Sequence, residues 1–289
     1  MQPHIQTQSA KRTLTQEQID FFHEEGYLYL EGFYDLDKEI KPIQYGIYQL
    51  IKLLIAKYDL PIEQLPFAPE TFDDGYQALI KASRSYGGEI YDAVKQIPAF
   101  MRLVASEVHE DLLKQIRGTD MPAVAAGGYG IRIDNPNEAK FRAPWHQEYP
   151  AQFRSMDGIV YWAPLAEMTE DMGPVVMCPK SHKGGLVRVH TKDPKNPEKT
   201  GAYALILENE EQLVNSYEQI APLSKPGDLF LMDFLTLHQS GLNSSKRSRW
   251  SMQSRLFNFR DPTGMKIKWA GGFAAGTDLK AIHPDLYID

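Results

Sequence analysis

The sequence predicts a mostly β protein with a helical N-terminal part and a double-stranded β-helix, the cupin-like jelly roll, as its core. Two patterns carry this expectation. Up to about residue 117 the apolar side chains recur at helical spacing, whereas beyond Met121 they alternate or cluster in short runs divided by turn residues. Length adds a third. The chain has 289 residues, enough for one large domain with a substantial core. We therefore expect a single domain, with 1–120 mainly helical, 121–260 the jelly-roll core and 261–289 a C-terminal tail.

Taken in order, Thr15 and Gln18 form a capping box that opens a short helix, and Gly26 ends it. Tyr27-Leu28-Tyr29-Leu30 reads as a strand. Over residues 37–58, Ile43, Ile47, Leu50, Ile51 and Leu54 mark one helical face, with Pro42 tolerated in the first turn. A further helix over 99–117 carries Leu103, Val104, Val108, Leu112 and Ile116 on one stripe and stops at Gly118. These stripes are core packing, with no cofactor motif among them. Strand-like runs then follow at 123–134, 141–148, 158–165, 175–179, 186–190, 218–223, 228–234 and 249–259. Asp134-Asn135-Pro136-Asn137, Asp171-Met172-Gly173-Pro174 and Lys225-Pro226-Gly227-Asp228 are turns between them. So many strands with few helices between suit a jelly roll whose mouth holds a small ligand, and the polar stretch 191–200 reads as a loop near that mouth. There is no internal repeat or low-complexity tract.

Composition excludes more than it assigns. A net charge of -7 argues against a nucleic-acid or anionic-membrane surface. No apolar run approaches a membrane span, and Met1-Gln2-Pro3-His4 lacks the blocks of a signal peptide. Cys178 is the only cysteine, so no internal disulfide forms and a cytoplasmic setting is expected, with Cys178 as a small buried hydrophobe. Nothing here sets an oligomeric state.

The chemistry lies in Trp145-His146-Gln147-Glu148 and Leu237-His238. Two imidazoles and a carboxylate can occupy one face of Fe(II) and leave its other positions open for substrate and O2. On a strand, residues i and i+2 point the same way, so His146 and Glu148 can grip one ion together. The plain alternative is a hydrogen-bonded polar cluster inside a barrel. Further on, Arg249-Trp250-Ser251 places a guanidinium and a hydroxyl on one face of an apolar run. A guanidinium forks onto a carboxylate and a hydroxyl adds a third bond, which suits the distal carboxylate of 2-oxoglutarate.

With these residues in view, the chain resembles the phytanoyl-CoA dioxygenase family of non-haem Fe(II)- and 2-oxoglutarate-dependent oxygenases. The resemblance covers most of the chain. It runs through residues 14–22 with Glu25-Gly26-Tyr27, the stretch from His146 through Tyr161-Trp162 to Gly173-Pro174, Pro179-Lys180-Ser181-His182-Lys183-Gly184, and Pro226-Gly227-Asp228 leading to His238 and Arg249. It implies Fe(II) on His146, Glu148 and His238, 2-oxoglutarate on Arg249 with Ser251, and Trp162 near that co-substrate. It further implies hydroxylation by O2 with release of succinate and CO2. An intact carboxylate ligand speaks against halogenation, which needs that position vacant. One departure is clear: the family's usual carboxylate is Asp, and the extra methylene of Glu148 shifts the backbone relative to the metal.

Alternation from Arg249 also turns Gln253 and Arg255 inward, while Arg142 and Arg154 flank the metal-binding segment and Arg188 and His190 precede the loop. An inward Arg255 must meet either a core carboxylate, such as Asp233, or an anionic ligand, unless a bulge turns it outward. In the second case the substrate is a small polar metabolite with a carboxylate or phosphate, bound near Arg255, Gln253 and Arg142. Two rival readings stand beside this one. They are a cupin-type metal enzyme that does not use 2-oxoglutarate and a catalytically silent ligand-binding jelly roll. His4, His23, His109 and His283 read as surface or capping residues, and His182 as a structural hydrogen-bonding group.

Overall fold

A computed structural model of the protein describes residues 12–193 and 195–288, so the readings at Met1 to His4 lie outside the described residues. Helix α1 (Gln16–Glu25) opens on the expected capping box at Thr15 and ends at Gly26, which is left-handed at φ 79°. Only glycine fits there. A Cβ would also run into His182 and Thr236, because this turn packs against the segment that leads to His238. Strand β1 (Tyr27–Leu30) follows, then a single π-helical turn (Leu36–Ile40) that runs into α2 (Lys41–Lys57). Ile43, Ile47, Ile51 and Leu54 are buried along α2.

Two further helices, α3 (Tyr76–Ala82) and α4 (Arg84–Val94), occupy a stretch where the sequence shows no clear period. The helix expected over 99–117 is two, α5 (Pro98–Val104) and α6 (Glu107–Arg117). Ser106 is extended and breaks the ladder, and Glu107 and Glu110 then favour a new N-terminus. His109, expected near the surface, is buried at 3% exposure, with its Nε2 2.8 Å from the Tyr34 hydroxyl. Helix (about 38%) outweighs strand (19%), so "mostly β" describes the core and not the chain.

The large sheet runs β1–β8–β4–β10–β2, with β2 (Pro122–Val124), β4 (Gly158–Pro164), β8 (Leu229–Asp233) and β10 (Arg249–Asn258). β3 (Gly130–Asp134) also pairs with β10, since the run expected as one strand over 123–134 is split by a turn at Gly127, φ +77°. β10 is the spine. Trp250, Met252 and Leu256 face the helices, where Trp250 meets Phe72 and Tyr76 edge-on, and the alternate residues face inward.

Opposite lies a small sheet of β5 (Val175–Met177) and β9 (His238–Ser240), widened by bridges from His146 to His238 and from Ile220 to Met177. The strand expected over 218–223 is reduced to that one bridge. β6 (Val189–His190) leaves this sheet to pair with β7 (Ile206–Leu207) and β11 (Tyr287–Ile288). One apolar core runs from Leu14 through both sheets to Tyr287. Cys178 is fully buried within it, and burial pushes its thiol up to about 11, as befits a packed hydrophobe. No helix among the described residues is long and apolar enough to cross a membrane.

Candidate metal centre

Between the two sheets lies a cavity of about 780 Å³, with Trp162, Met232 and Gln253 on one wall and Val175, His238 and Ser240 on the other. His146 and His238 exchange backbone hydrogen bonds of 3.0 Å in both directions, which places their rings side by side with centroids 4.2 Å apart. Each ring is oriented by its own backbone. His146 Nδ1 lies 2.7 Å from the Pro144 carbonyl and His238 Nδ1 2.9 Å from that of Thr236, so each Nδ1 carries the proton and each Nε2 keeps its lone pair.

Glu148 arrives differently from the expectation. The pair does not lie along one strand. Pairing stops at His146, and Glu148 is helical (φ -69°, ψ -39°) as the cap of α7 (Tyr149–Gln152). Pro150 explains the bend, because its ring and missing N–H suit a first helical turn and not a ladder. Gln147, which sequence reasoning passed over, pins the corner. Its amide donates to the carbonyls of Gly185 and Leu235 and accepts from the Val187 N–H, each at 2.8 Å. The bend still delivers the carboxylate. Glu148 Oε2 lies 3.7 Å from His238 Nε2 and 4.0 Å from His146 Nε2, and one ligand atom from each residue falls within 4.8 Å of the others.

The protonation states suit a metal. Burial works against the charge of Glu148, but Arg255, His146 and His238 beside it hold its carboxyl down at about 2. Burial lowers His146 and drives His238 to about 3. At neutral pH the cluster is one carboxylate with two neutral imidazoles, a donor set ready for a divalent ion. Glu148 Oε2 is buried without a hydrogen-bond partner, which is what a ligand atom would be without its ion.

The other predicted residues divide. Trp162 and Gln253 line the cavity; Trp162 meets Phe230 edge-on at 5.7 Å. Arg255 faces inward as expected, but the carboxylate it meets is Glu148, at 3.0 Å, and not Asp233, which Arg117 holds at 2.5 Å. Arg142 is off the wall and reaches Gln239 at 3.4 Å. Arg154 bonds the Ala126 carbonyl, and Arg188 pairs with Glu208 at the surface.

Arg249 is 1% exposed, and one of its nitrogens pairs with Asp134 at 2.9 Å. Its Nε and Nη1, and the nearby Ser251 Oγ, are buried without partners: three unanswered donors, the complement of a carboxylate. Neither residue is on the cavity wall. Arg132 is on it, opposite Ser251 in the ladder, and shares Asp134 with Arg249 through contacts of 2.8–3.0 Å. The sequence hid this pair because Asp134 reads first as the start of a turn, although 130, 132 and 134 alternate onto one face.

A two-histidine, one-carboxylate site between the sheets of a jelly roll is the arrangement of non-haem iron and 2-oxoglutarate oxygenases. The chain belongs to the phytanoyl-CoA dioxygenase family, whose model matches residues 22–251. Fe(II), 2-oxoglutarate and O2 come with that membership, and the triad stands where the metal is expected. Among curated proteins none matches this sequence. Solved structures of similar fold include the non-haem α-ketoglutarate-dependent carbocyclase SnoK from nogalamycin biosynthesis, at 12% identity and TM-score 0.55 over 91% of this chain and 94% of that one. The epimerase SnoN of the same biosynthesis is similar at 14% identity and TM-score 0.52, over 86% of each chain. EctD from S. alaskensis, crystallised with 2-oxoglutarate and 5-hydroxyectoine, is similar at 17% identity and TM-score 0.54 over 88% of this chain and 79% of that one.

Proposed function

We propose that this oxygenase hydroxylates a small polar metabolite, with Fe(II) on His146, Glu148 and His238 and the distal carboxylate of 2-oxoglutarate on Arg249 and Ser251. One observation carries the reading: both imidazoles keep Nε2 free and share a buried space with the orphaned Glu148 Oε2. The unanswered donors of Arg249 and Ser251 support the co-substrate anchor. When bound, the metal with 2-oxoglutarate and O2 supplies the oxidative chemistry, releasing succinate and CO2.

The chain's own residues supply the rest. The Pro144 and Thr236 carbonyls fix the ring tautomers. Trp162, on the cavity wall, would pack against the co-substrate. The wall carries Lys95, Arg132 and Arg255 against a single carboxylate, Glu148, which favours a polar or anionic substrate over a bare hydrocarbon. That preference rests on Lys95, whose pair with Asp92 lies at the surface, because Arg132 and Arg255 are already answered by Asp134 and Glu148.

The test is a panel of small metabolites incubated with the protein, Fe(II), 2-oxoglutarate and ascorbate. Substrate-dependent succinate together with a product one oxygen heavier is the expected result. Succinate with a product lacking that oxygen would replace hydroxylation by another oxidation. Turnover without 2-oxoglutarate consumption would overturn the reading.

A further inference from the structure

The ligand Glu148 is held by one cation, and the way it is held divides its two oxygens. Arg255 stands on the inward face of β10, opposite Val160 of β4. Its guanidinium is spread over three acceptors: Nε donates to Glu148 Oε1 at 3.0 Å, Nη1 to the Gly128 carbonyl at 3.3 Å and Nη2 to Gln253 Oε1 at 2.9 Å. The Gly128 carbonyl is brought there by the turn that splits β2 from β3, closed by Gly128 N–H on the Ala125 carbonyl at 2.8 Å. Gln253 lies two residues away on the same strand face, so one side of the brace is built on β10 itself. At the far end, Glu148 N–H donates to the Phe234 carbonyl at 2.8 Å, which fixes the backbone from which the side chain starts.

Oε1 is therefore committed to Arg255. Oε2 has no hydrogen-bond partner and faces both imidazole Nε2 atoms, at 3.7 and 4.0 Å. A glutamate has one more rotatable bond than an aspartate. A carboxylate free to turn can offer an ion both oxygens, one, or neither. We infer that Arg255 is a positioning residue that holds Glu148 for ligation through Oε2 alone, and that this strut is what lets a glutamate serve where an aspartate would be shorter. The inference rests on the reading of His146, Glu148 and His238 as metal ligands. Single-oxygen ligation keeps the remaining face of the ion free for co-substrate and O2, whereas two-oxygen ligation takes one of those positions.

Co(II) titration of the metal-free protein tests this without turnover, reading both affinity and the visible absorption of the bound ion, which responds to coordination number. Arg255→Leu weakens Co(II) binding by roughly tenfold to a hundredfold, the usual loss when the partner of a metal ligand is removed, and changes the spectrum. Arg255→Lys keeps a donor for Oε1 and recovers part of the loss. In a Glu148→Asp background the shorter carboxylate no longer spans both Arg255 and the ion, so Arg255→Leu costs less than about threefold there. Where Arg255→Leu does not fold, Gln253→Leu, which frees one arm of the guanidinium, carries the same comparison. Its loss is smaller and again vanishes in the Glu148→Asp background.

A wild-type spectrum and affinity in Arg255→Leu, or equal losses from that change with and without Glu148→Asp, overturns the strut. His238→Ala separates the two ideas. If that variant binds Co(II) like wild type, the metal reading itself is wrong. If it loses binding while Arg255→Leu does not, only the strut fails.

Discussion

Arg249 and Arg255 share the inward face of one strand, and both are buried, yet they do opposite things. Arg255 meets Glu148, Gln253 and the Gly128 carbonyl and is fully answered by the protein. Arg249 meets Asp134 with one nitrogen and leaves Nε and Nη1 unpaired beside an unpaired Ser251 Oγ. Burial and alternation alone cannot distinguish them. The partner list does, because a buried donor without an acceptor is costly enough that a folded protein rarely keeps one without a ligand to fill it. One end of β10 is finished by the fold, and the other keeps unanswered donors, which is what the proposed 2-oxoglutarate anchor requires.

The largest effects fall on the proposed metal ligands, of which Arg255 braces Glu148. Glu148→Ala or His238→Ala removes a ligand from a site that has three, and we expect loss of both turnover and Fe(II) binding. Calorimetry of Fe(II) binding under anaerobic conditions checks this. A Glu148→Ala protein that binds and turns over like wild type would falsify the triad.

The comparison is sharpest at the two arginines. Arg249→Ala removes a charge-assisted pair in a dry site, worth about 2–5 kcal/mol, so the 2-oxoglutarate requirement rises about thirty-fold to several thousand-fold. Fe(II) affinity holds. Arg255→Leu behaves the other way round, losing metal affinity first. Titrating each variant with metal and with 2-oxoglutarate separately tells the two ends apart. Unchanged 2-oxoglutarate dependence in Arg249→Ala would move the anchor to Arg132, which is on the cavity wall, or favour an enzyme that does not use 2-oxoglutarate. Ser251→Ala removes one hydrogen bond to a charged group, about 1.5 kcal/mol, and is expected to raise the 2-oxoglutarate requirement near tenfold.

How much of this was legible in the sequence follows the range of the forces involved. Caps, turns and long amphipathic runs act over a few residues, so α1, β1, α2, β4 and β10 fall close to where the pattern puts them. α3 and α4 did not stand out because 7 and 11 residues give only two or three turns of apolar signal. The cluster was readable because the His-x-Glu spacing, common by itself, stands with a later His and an Arg-x-Ser pair in the order an oxygenase needs. The route by which Glu148 reaches it was not, since Pro150 replaces a strand by a helical turn. Partner choice was the least visible. Arg255 with Glu148 and Arg249 with Asp134 are contacts across the fold that no local pattern encodes.

The inward histidines extend the comparison and supply the smallest effect. His146 and His238 leave Nε2 facing an open space, whereas the Nε2 of His109, which is not on the cavity wall, is answered by the Tyr34 hydroxyl at 2.8 Å. All three are kept neutral by burial, which takes His109 from its ordinary 6.5 to about 4. A base with a depressed folded pKa contributes stability above its unfolded pKa. That stability is lost as pH falls from 6.5 towards 4, because the unfolded chain takes up the proton first. At about pH 5.5 one unit of that window has been crossed, a cost of about 1.4 kcal/mol relative to about pH 7.5. His109→Phe removes this contribution and leaves those of His146 and His238. Urea unfolding of wild type and variant at the two pH values should therefore show the wild type losing about 1.4 kcal/mol more than the variant. Fe(II) binding at neutral pH should be the same in both, since His109 touches no residue of the triad. Identical pH slopes would mean that His109 is not held neutral by its burial. A loss of metal affinity in His109→Phe would mean that the helical layer and the metal site are coupled through β4, whose Tyr161 hydroxyl donates to the His109 carbonyl at 2.9 Å.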